Sequence, residues 1–153
     1  MSDESTQVRS AALADLDAAT LYALLRLRVD VFVVEQECAY AELDGRDAEA
    51  ATTHLWLADG AGPTAYLRVL RDASGECRIG RVCTRGDARG RGLAAALMAQ
   101  ALALTAAAPV VLDAQSHLQD WYARFGFEVD GPGFVEDGIP HVPMRRTAPT
   151  VVP

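Results

Sequence analysis

Arg89-Gly90-Arg91-Gly92-Leu93-Ala94 is the stretch whose residue types and spacing point most directly to chemistry. It stands between a predicted strand and a long predicted helix. The first backbone N–H groups of a helix have no partner within it, and the helix dipole is positive at that end. A turn of this kind holds a phosphate or pyrophosphate. Glycines let the main chain approach such a ligand and take dihedrals other residues avoid. Arg78, Arg81, Arg85, Arg89 and Arg91 crowd the same window of an otherwise acidic chain, an island of positive charge suited to a polyphosphate. The bland alternative is a polar loop with solvated arginines. The stretch is not a P-loop, because the GxxxxGK[ST] lysine and hydroxyl are missing. It is not a dinucleotide fingerprint either, since no third glycine follows and the strands before it form a meander.

The elements that must position this loop can be read from pattern. Val8 to Ala12 predicts a first strand. Asp17 predicts an N-cap, and Leu21, Leu25 and Phe32 predict a helix or helix pair over Ala18 to Val34. Glu35 to Thr53 is acidic and irregular. His54 to Ala58 and Thr64 to Leu70 predict strands joined by a hairpin loop over Asp59 to Pro63, and Cys77 to Thr84 a third. Leu93 to Ala107 predicts an Ala-rich helix, Val110 to Ala114 a strand, and Ser116 to Phe125 a helix closed by Gly126. Phe127 to Val135 and His141 to Arg146 can pair across Glu136 to Pro140. The order predicts an α+β fold in α/β/α layers, with a mixed, mostly antiparallel sheet of about seven strands. One domain is expected over 1–147 and a loose tail over 148–153.

Composition narrows the function. With 153 residues, half of them hydrophobic, the chain can build a core. The net charge of −7 and the pI near 4.8 argue against a nucleic-acid binder. All fourteen basic residues are arginine, so the chain has no side-chain amine of its own. Cys38, Cys77 and Cys83 are odd in number and lack CxxC spacing, which favours a reducing cytoplasm over disulfides or a metal site. Leu93 to Leu112 approaches the length of a membrane span, but Gln100, Thr105 and Pro109 interrupt it, so no membrane segment is expected.

The glycine loop also carries a resemblance. Arg89 to Ala94 matches the R-x-x-G-x-G/A pyrophosphate loop of the GNAT family of N-acetyltransferases, and Tyr122-Ala123-Arg124-Phe125-Gly126-Phe127 is similar to that family's Y-x-x-F/L-G-F signature. Val31 to Gln36, Leu43-Asp44-Gly45, Ala114 to Gln119 and Asp137 to His141 resemble stretches of its ElaA-like branch. The resemblance covers the strand order of nearly the whole chain. It implies the GNAT acyl-CoA N-acyltransferase fold, with acetyl-CoA as cofactor and a small-molecule or peptide amine as acceptor. It implies that Arg89, Gly90, Arg91, Gly92, Leu93 and Ala94 hold the pyrophosphate, and that Val82, Cys83 and Thr84 pair with the pantetheine arm. Gln115 stands where many members carry an asparagine near the cofactor.

The same resemblance assigns chemistry. Tyr122 aligns with the tyrosine near the cofactor sulfur and is a candidate general acid; otherwise it is a packed aromatic beside Trp121, Phe125 and Phe127. An alkylamine is neutral in only about one molecule in two thousand at pH 7, so some group must take its proton. Glu35 and His141 are the candidate bases, against plain readings as a helix-end carboxylate and a hydrogen-bonded strand histidine. A backbone N–H near Cys83 or Thr84 is the candidate oxyanion donor. Direct transfer needs no acyl-cysteine, so Cys83 is read as a strand residue. Glu35, Glu37, Glu42, Asp44, Asp47 and Glu49 either attract a cationic amine or form a solvated acidic surface, the second being preferred. The competing function is a non-catalytic acyl-CoA sensor with the same cradle. A monomer or a homodimer paired through an edge strand fits the sequence equally.

Overall fold

The computed structural model describes residues 4–148. The tail expected over 148–153 lies, from 149 on, outside the described residues. A short strand β1 (Arg9–Ala11) precedes helix α1 (Ala18–Val29). Asp17 caps α1, its side chain accepting from the Thr20 amide at 2.7 Å. The helix or helix pair expected over Ala18 to Val34 is α1 continued by a π turn over Asp30–Glu35. Its wider ladder lets the amides of Gln36 and Cys38 reach the carbonyls of Val31 and Val33, and it delivers Glu35 and Gln36 to the site described below.

A meander follows: β2 (Thr53–Asp59), β3 (Gly62–Arg71) and β4 (Cys77–Thr84). The β2–β3 loop is tighter than expected. Asp59 pairs with Gly62, leaving Gly60 and Ala61 as the turn, and the Asp59 carboxylate accepts from the Ala61 amide. Helix α2 (Leu93–Leu104) stops short of Ala107 because Thr105 leaves helical geometry; its hydroxyl donates back to the Ala101 carbonyl. Then come β5 (Val110–Gln115), a 3-10 turn (Ser116–Leu118) and the short α3 (Gln119–Ala123). The strand expected from Phe127 to Val135 is two strands, β6 (Glu128–Val129) and β7 (Phe134–Glu136), since Gly131-Pro132-Gly133 cannot sustain a ladder. β8 (Ile139–Arg146) pairs with both and with β5. Asp137 and Gly138, both at positive φ, make the two-residue turn from β7 to β8.

The result is one sheet of eight strands, one more than expected, in the order β1-β2-β3-β4-β5-β8-β6 with β7 also on β8. All pairings are antiparallel except β4 with β5. Helices cover both faces. On one, Leu97, Met98 and Ala101 of α2 pack over Leu55, Leu67, Ile79 and Leu112. The alanines let that helix lie close to the sheet, and each fully buried leucine contributes about 2 kcal/mol. On the other, Leu24, Leu27 and Val31 pack over Trp56, Tyr66 and Cys83. Among the described residues no helix is long and apolar enough to cross a membrane.

Candidate active site

β4 and β5 pair only at their first residues, Cys77 with Val110 and Arg78 with Val111. Beyond that they diverge, and the gap between them opens a groove of about 1030 Å³. The remaining length of β4 therefore has no strand partner on its β5 side. Val82, Cys83 and Thr84 line the groove there, and Gln115 lines it from the end of β5, its amide 3.4 Å from Gln36 Oε1.

At one end stands the glycine turn. Gly90 and Gly92 take φ 79 and φ 72, and a Cβ built on either would meet nothing within 4 Å. The space beside them is open, so the requirement for glycine is the backbone conformation. Gly92 is the N-cap of α2 and, lacking a side chain, leaves the helix's first amides uncapped. Arg89 and Ala94 line the groove, whereas Gly90, Arg91, Gly92 and Leu93 form the turn at its rim. Open, uncapped amides beside two arginines fit a diphosphate.

Of the five-arginine island, most is committed elsewhere. Arg78 bonds Asp113 at 3.2 Å, Arg81 contacts Glu42, and Arg85 is held by Asp59 and Asp87. The expected polyphosphate cluster therefore reduces to Arg89 and Arg91. Arg89 Nη2 in turn donates to Glu35 Oε2 at 2.5 Å. That bond holds the Glu35 carboxyl below its ordinary range, which weakens it as a proton acceptor.

Tyr122 reaches the groove from α3 and is buried. Its ring meets Trp121 and Phe127 edge to face, with centroids 4.9 and 6.3 Å apart. Burial pushes its pKa up to about 12, so the phenol keeps its proton. Among the described residues its hydroxyl has no hydrogen-bond partner. His141 enters from β8, stacked on Phe134, with Nδ1 2.7 Å from the Ile139 carbonyl. A carbonyl can only accept, so Nδ1 carries a proton, and in the neutral ring the lone pair is on Nε2. Burial also pushes the Cys83 thiol up to about 12, which leaves it no thiolate to act as nucleophile.

The structure corrects the reading of the acidic segment. Glu42 and Asp47 are buried, and with Asp44 they meet Arg28, Arg68 and Arg81 beneath β4. Arg28 is fully buried and bonds both Asp47 oxygens, at 2.8 and 3.1 Å. Arg68 grips Asp44 with two bonds, at 2.6 and 2.9 Å. His54 and Tyr66 complete the cluster, 2.6 Å apart. Sequence reasoning missed it. Its local signals were two: Arg28 at buried helical spacing after Leu24, and Arg68 inside the apolar run of β3.

A splayed parallel pair beside a glycine turn is the decisive geometry, and the comparisons agree with it. Residues 22–148 match the family model described as an acetyltransferase (GNAT) domain. The chain belongs to the GNAT acetyltransferase family. A protein of Mycobacterium tuberculosis is 54% identical over 136 residues, covering 86% of this chain and 87% of its own. Protein ElaA of Escherichia coli is 40% identical over 141 residues, covering 87% and 91%. The crystal structure of that ElaA superposes with a TM-score of 0.86 at 36% identity, over 92% of this chain and 98% of its own. An acyl-CoA N-acyltransferase from Pseudomonas aeruginosa gives 0.88 at 44%, over 92% and 99%. This chain is thus an acyltransferase with the GNAT fold, in the ElaA-like branch of the family.

Proposed function

We propose that residues 1–147 act as one domain that transfers an acetyl group from acetyl-CoA directly to a primary amine of a small molecule or peptide. The observation that carries this reading is the position of Tyr122, a protonated buried phenol facing the gap between β4 and β5, with the uncapped end of α2 at the same groove. The amides opening α2, with Arg89 and Arg91, would hold the diphosphate. Val82, Cys83 and Thr84 would offer the pantetheine arm main-chain groups that β5 leaves unpaired, and Gln115 lies where it can contact the same arm.

Bound acetyl-CoA supplies an activated thioester. His141 Nε2 takes a proton from the incoming ammonium or from the attacking nitrogen, and the Ile139 carbonyl keeps the ring in the right tautomer. Tyr122 Oη gives its proton to the departing sulfur. A backbone N–H of β4 near Cys83 stabilises negative charge on the carbonyl oxygen. Glu35 is the weaker base of the two candidates, because Arg89 already occupies it. Three free cysteines suit a reducing, cytoplasmic setting.

The test is calorimetry with acetyl-CoA, followed by thiol release against a panel of primary amines. Uptake with turnover on at least one amine supports the reading. Uptake without turnover on any amine points to a sensor, and no uptake removes the donor altogether.

A further inference from the structure

β4 departs from a regular strand at one point. Arg68 pairs with Gly80 and Tyr66 with Cys83, so Arg81 and Val82 together oppose Leu67 alone. This is a β-bulge with its surplus residue in β4. Arg81 lies there in the left-handed region, at φ 55, where a Cβ crowds the main chain and glycine rests without strain. On the other edge β4 has already parted from β5. The bulge residues are therefore unpaired on both edges, between Gly80 and Cys83, which stay paired with β3, and they stand on the wall of the groove.

The Arg81 side chain supplies what the ladders do not. Its Nε stands 2.8 Å from Glu42 Oε2, an ion contact outside hydrogen-bond geometry. Its Nη2 donates to the Glu42 carbonyl at 3.1 Å and lies 3.5 Å from Asp44 Oδ2. The guanidinium carbon sits 5.4 Å from the centre of the Tyr40 ring. Glu42 is itself fixed. Its Oε1 accepts from Arg28 Nε at 2.9 Å, and its Oε2 accepts from the Tyr40 hydroxyl. Arg28 is anchored on Asp47. An unbroken run of charged bonds thus joins the body of α1 to the bulge.

Resting on the acyl-transfer reading above, we propose that Arg81 and Glu42 are positioning residues. Their ion pair holds the β4 bulge in the left-handed shape that turns its amides toward the reacting carbonyl. Glycine would adopt this φ without help but would leave the bulge free to move. Arginine adopts it because its side chain is gripped. The two residues act through the main chain of Arg81 and Val82.

Three variants of the full chain test this: Arg81→Ala, Arg81→Gly and Glu42→Gln. In the ligand-free protein, nitrogen–proton spectra report the amides of Val82 and Cys83. Arg81→Ala moves these resonances, and Arg81→Gly returns them toward their original positions, because glycine pays no penalty for the bulge φ. Acetyl-CoA affinity by calorimetry falls by at most about tenfold in Arg81→Ala, the scale of one main-chain hydrogen bond to the pantetheine arm, and by less in Arg81→Gly. With the best acceptor from the amine panel, kcat of Arg81→Ala falls about a hundredfold with KM for the amine little changed, the scale of losing one oxyanion donor. Arg81→Gly recovers about tenfold of that loss, on the same scale. Glu42→Gln, close to isosteric, shifts the same amides even if Arg81→Ala does not fold. Equal spectra and equal rates for Ala and Gly would show that the guanidinium acts by its charge alone, and would overturn the proposal. So would an effect confined to KM, or unmoved amides in Glu42→Gln. If the unmodified protein acetylates no amine, the acyl-transfer reading fails, and the ligand-free spectra still decide the grip on the bulge.

Discussion

Arg89 Nη2 stands 2.5 Å from Glu35 Oε2, joining the end of the π turn to the start of the glycine turn. Both side chains are about half exposed. In the proposed reading Arg89 also meets the diphosphate, so Glu35 would compete with the donor for it. An exposed ion pair is worth at most about 1 kcal/mol, which limits the competition to about fivefold in affinity. Glu35→Gln is therefore expected to tighten acetyl-CoA binding by up to about fivefold and to leave kcat within about threefold. Calorimetry and steady-state rates check both. A large fall in kcat with unchanged binding would restore Glu35 as the base.

Burial of Tyr122 against Trp121 and Phe127 pushes its phenol up to about 12, and its hydroxyl, at the groove, has no hydrogen-bond partner among the described residues. A phenol raised this far stays fully protonated across the neutral range, as the proposed general acid must. Tyr122→Phe keeps the edge-to-face packing on Trp121 and Phe127 and removes only the proton. Turnover is expected to fall about a hundredfold, as for loss of a general acid, with acetyl-CoA affinity unchanged. No alkaline fall in kcat assignable to this tyrosine should appear below pH 10. Full turnover in the variant would return Tyr122 to a packing role.

Gly92 caps α2 at φ 72 with open space around it. Gly92→Ala meets no neighbour, so its whole effect is conformational. Forcing an L-residue into this region costs about 1–2 kcal/mol, and relaxing it re-aims the amides that open α2. The expected result is a loss of acetyl-CoA affinity of about tenfold, with a stability loss near 1 kcal/mol by urea titration. Unchanged affinity would mean that these amides do not bind the diphosphate.

Legibility in the sequence followed the range of the interactions. The bounds of β4, the Asp17 cap and the glycine turn at the start of α2 depend on neighbours a few residues away, and each was readable. The splay of β4 from β5 and the bulge at Arg81 depend on which strands meet and where they part, which periodicity does not encode. The buried cluster was hidden for the same reason. Arg28, the pair Glu42 and Asp47, and Arg68 come from three separate segments of the chain, and each alone reads as a solvated surface charge. Only the apolar neighbours of Arg28 and Arg68 hinted that these arginines face inward. The acidic segment between Glu35 and Thr53 thus looked like a surface and is in part an interior.

That interior sets an acid limit on stability. Burial alone would raise the Asp47 pKa, but bonds from Arg28 and Arg68 outweigh it and hold the group below its ordinary 3.8. Asp44 is lowered further, chiefly by its two bonds from Arg68. Both carboxyls titrate lower in the folded chain than in the unfolded one, so the folded state binds fewer protons over this range. Their contribution is present in full above the unfolded value near 4 and drains away as pH falls through the folded values. Asp47→Asn leaves Arg28 and Arg68 short of a buried partner and is expected to cost about 3–5 kcal/mol at pH 7. Because protonation of Asp47 produces nearly the same uncharged group, the gap between variant and parent should narrow steadily below pH 4. Urea midpoints of the two proteins at pH 7, 4 and 3 measure this. A gap that stays constant down to pH 3 would mean that Asp47 is held by packing and not by its charge.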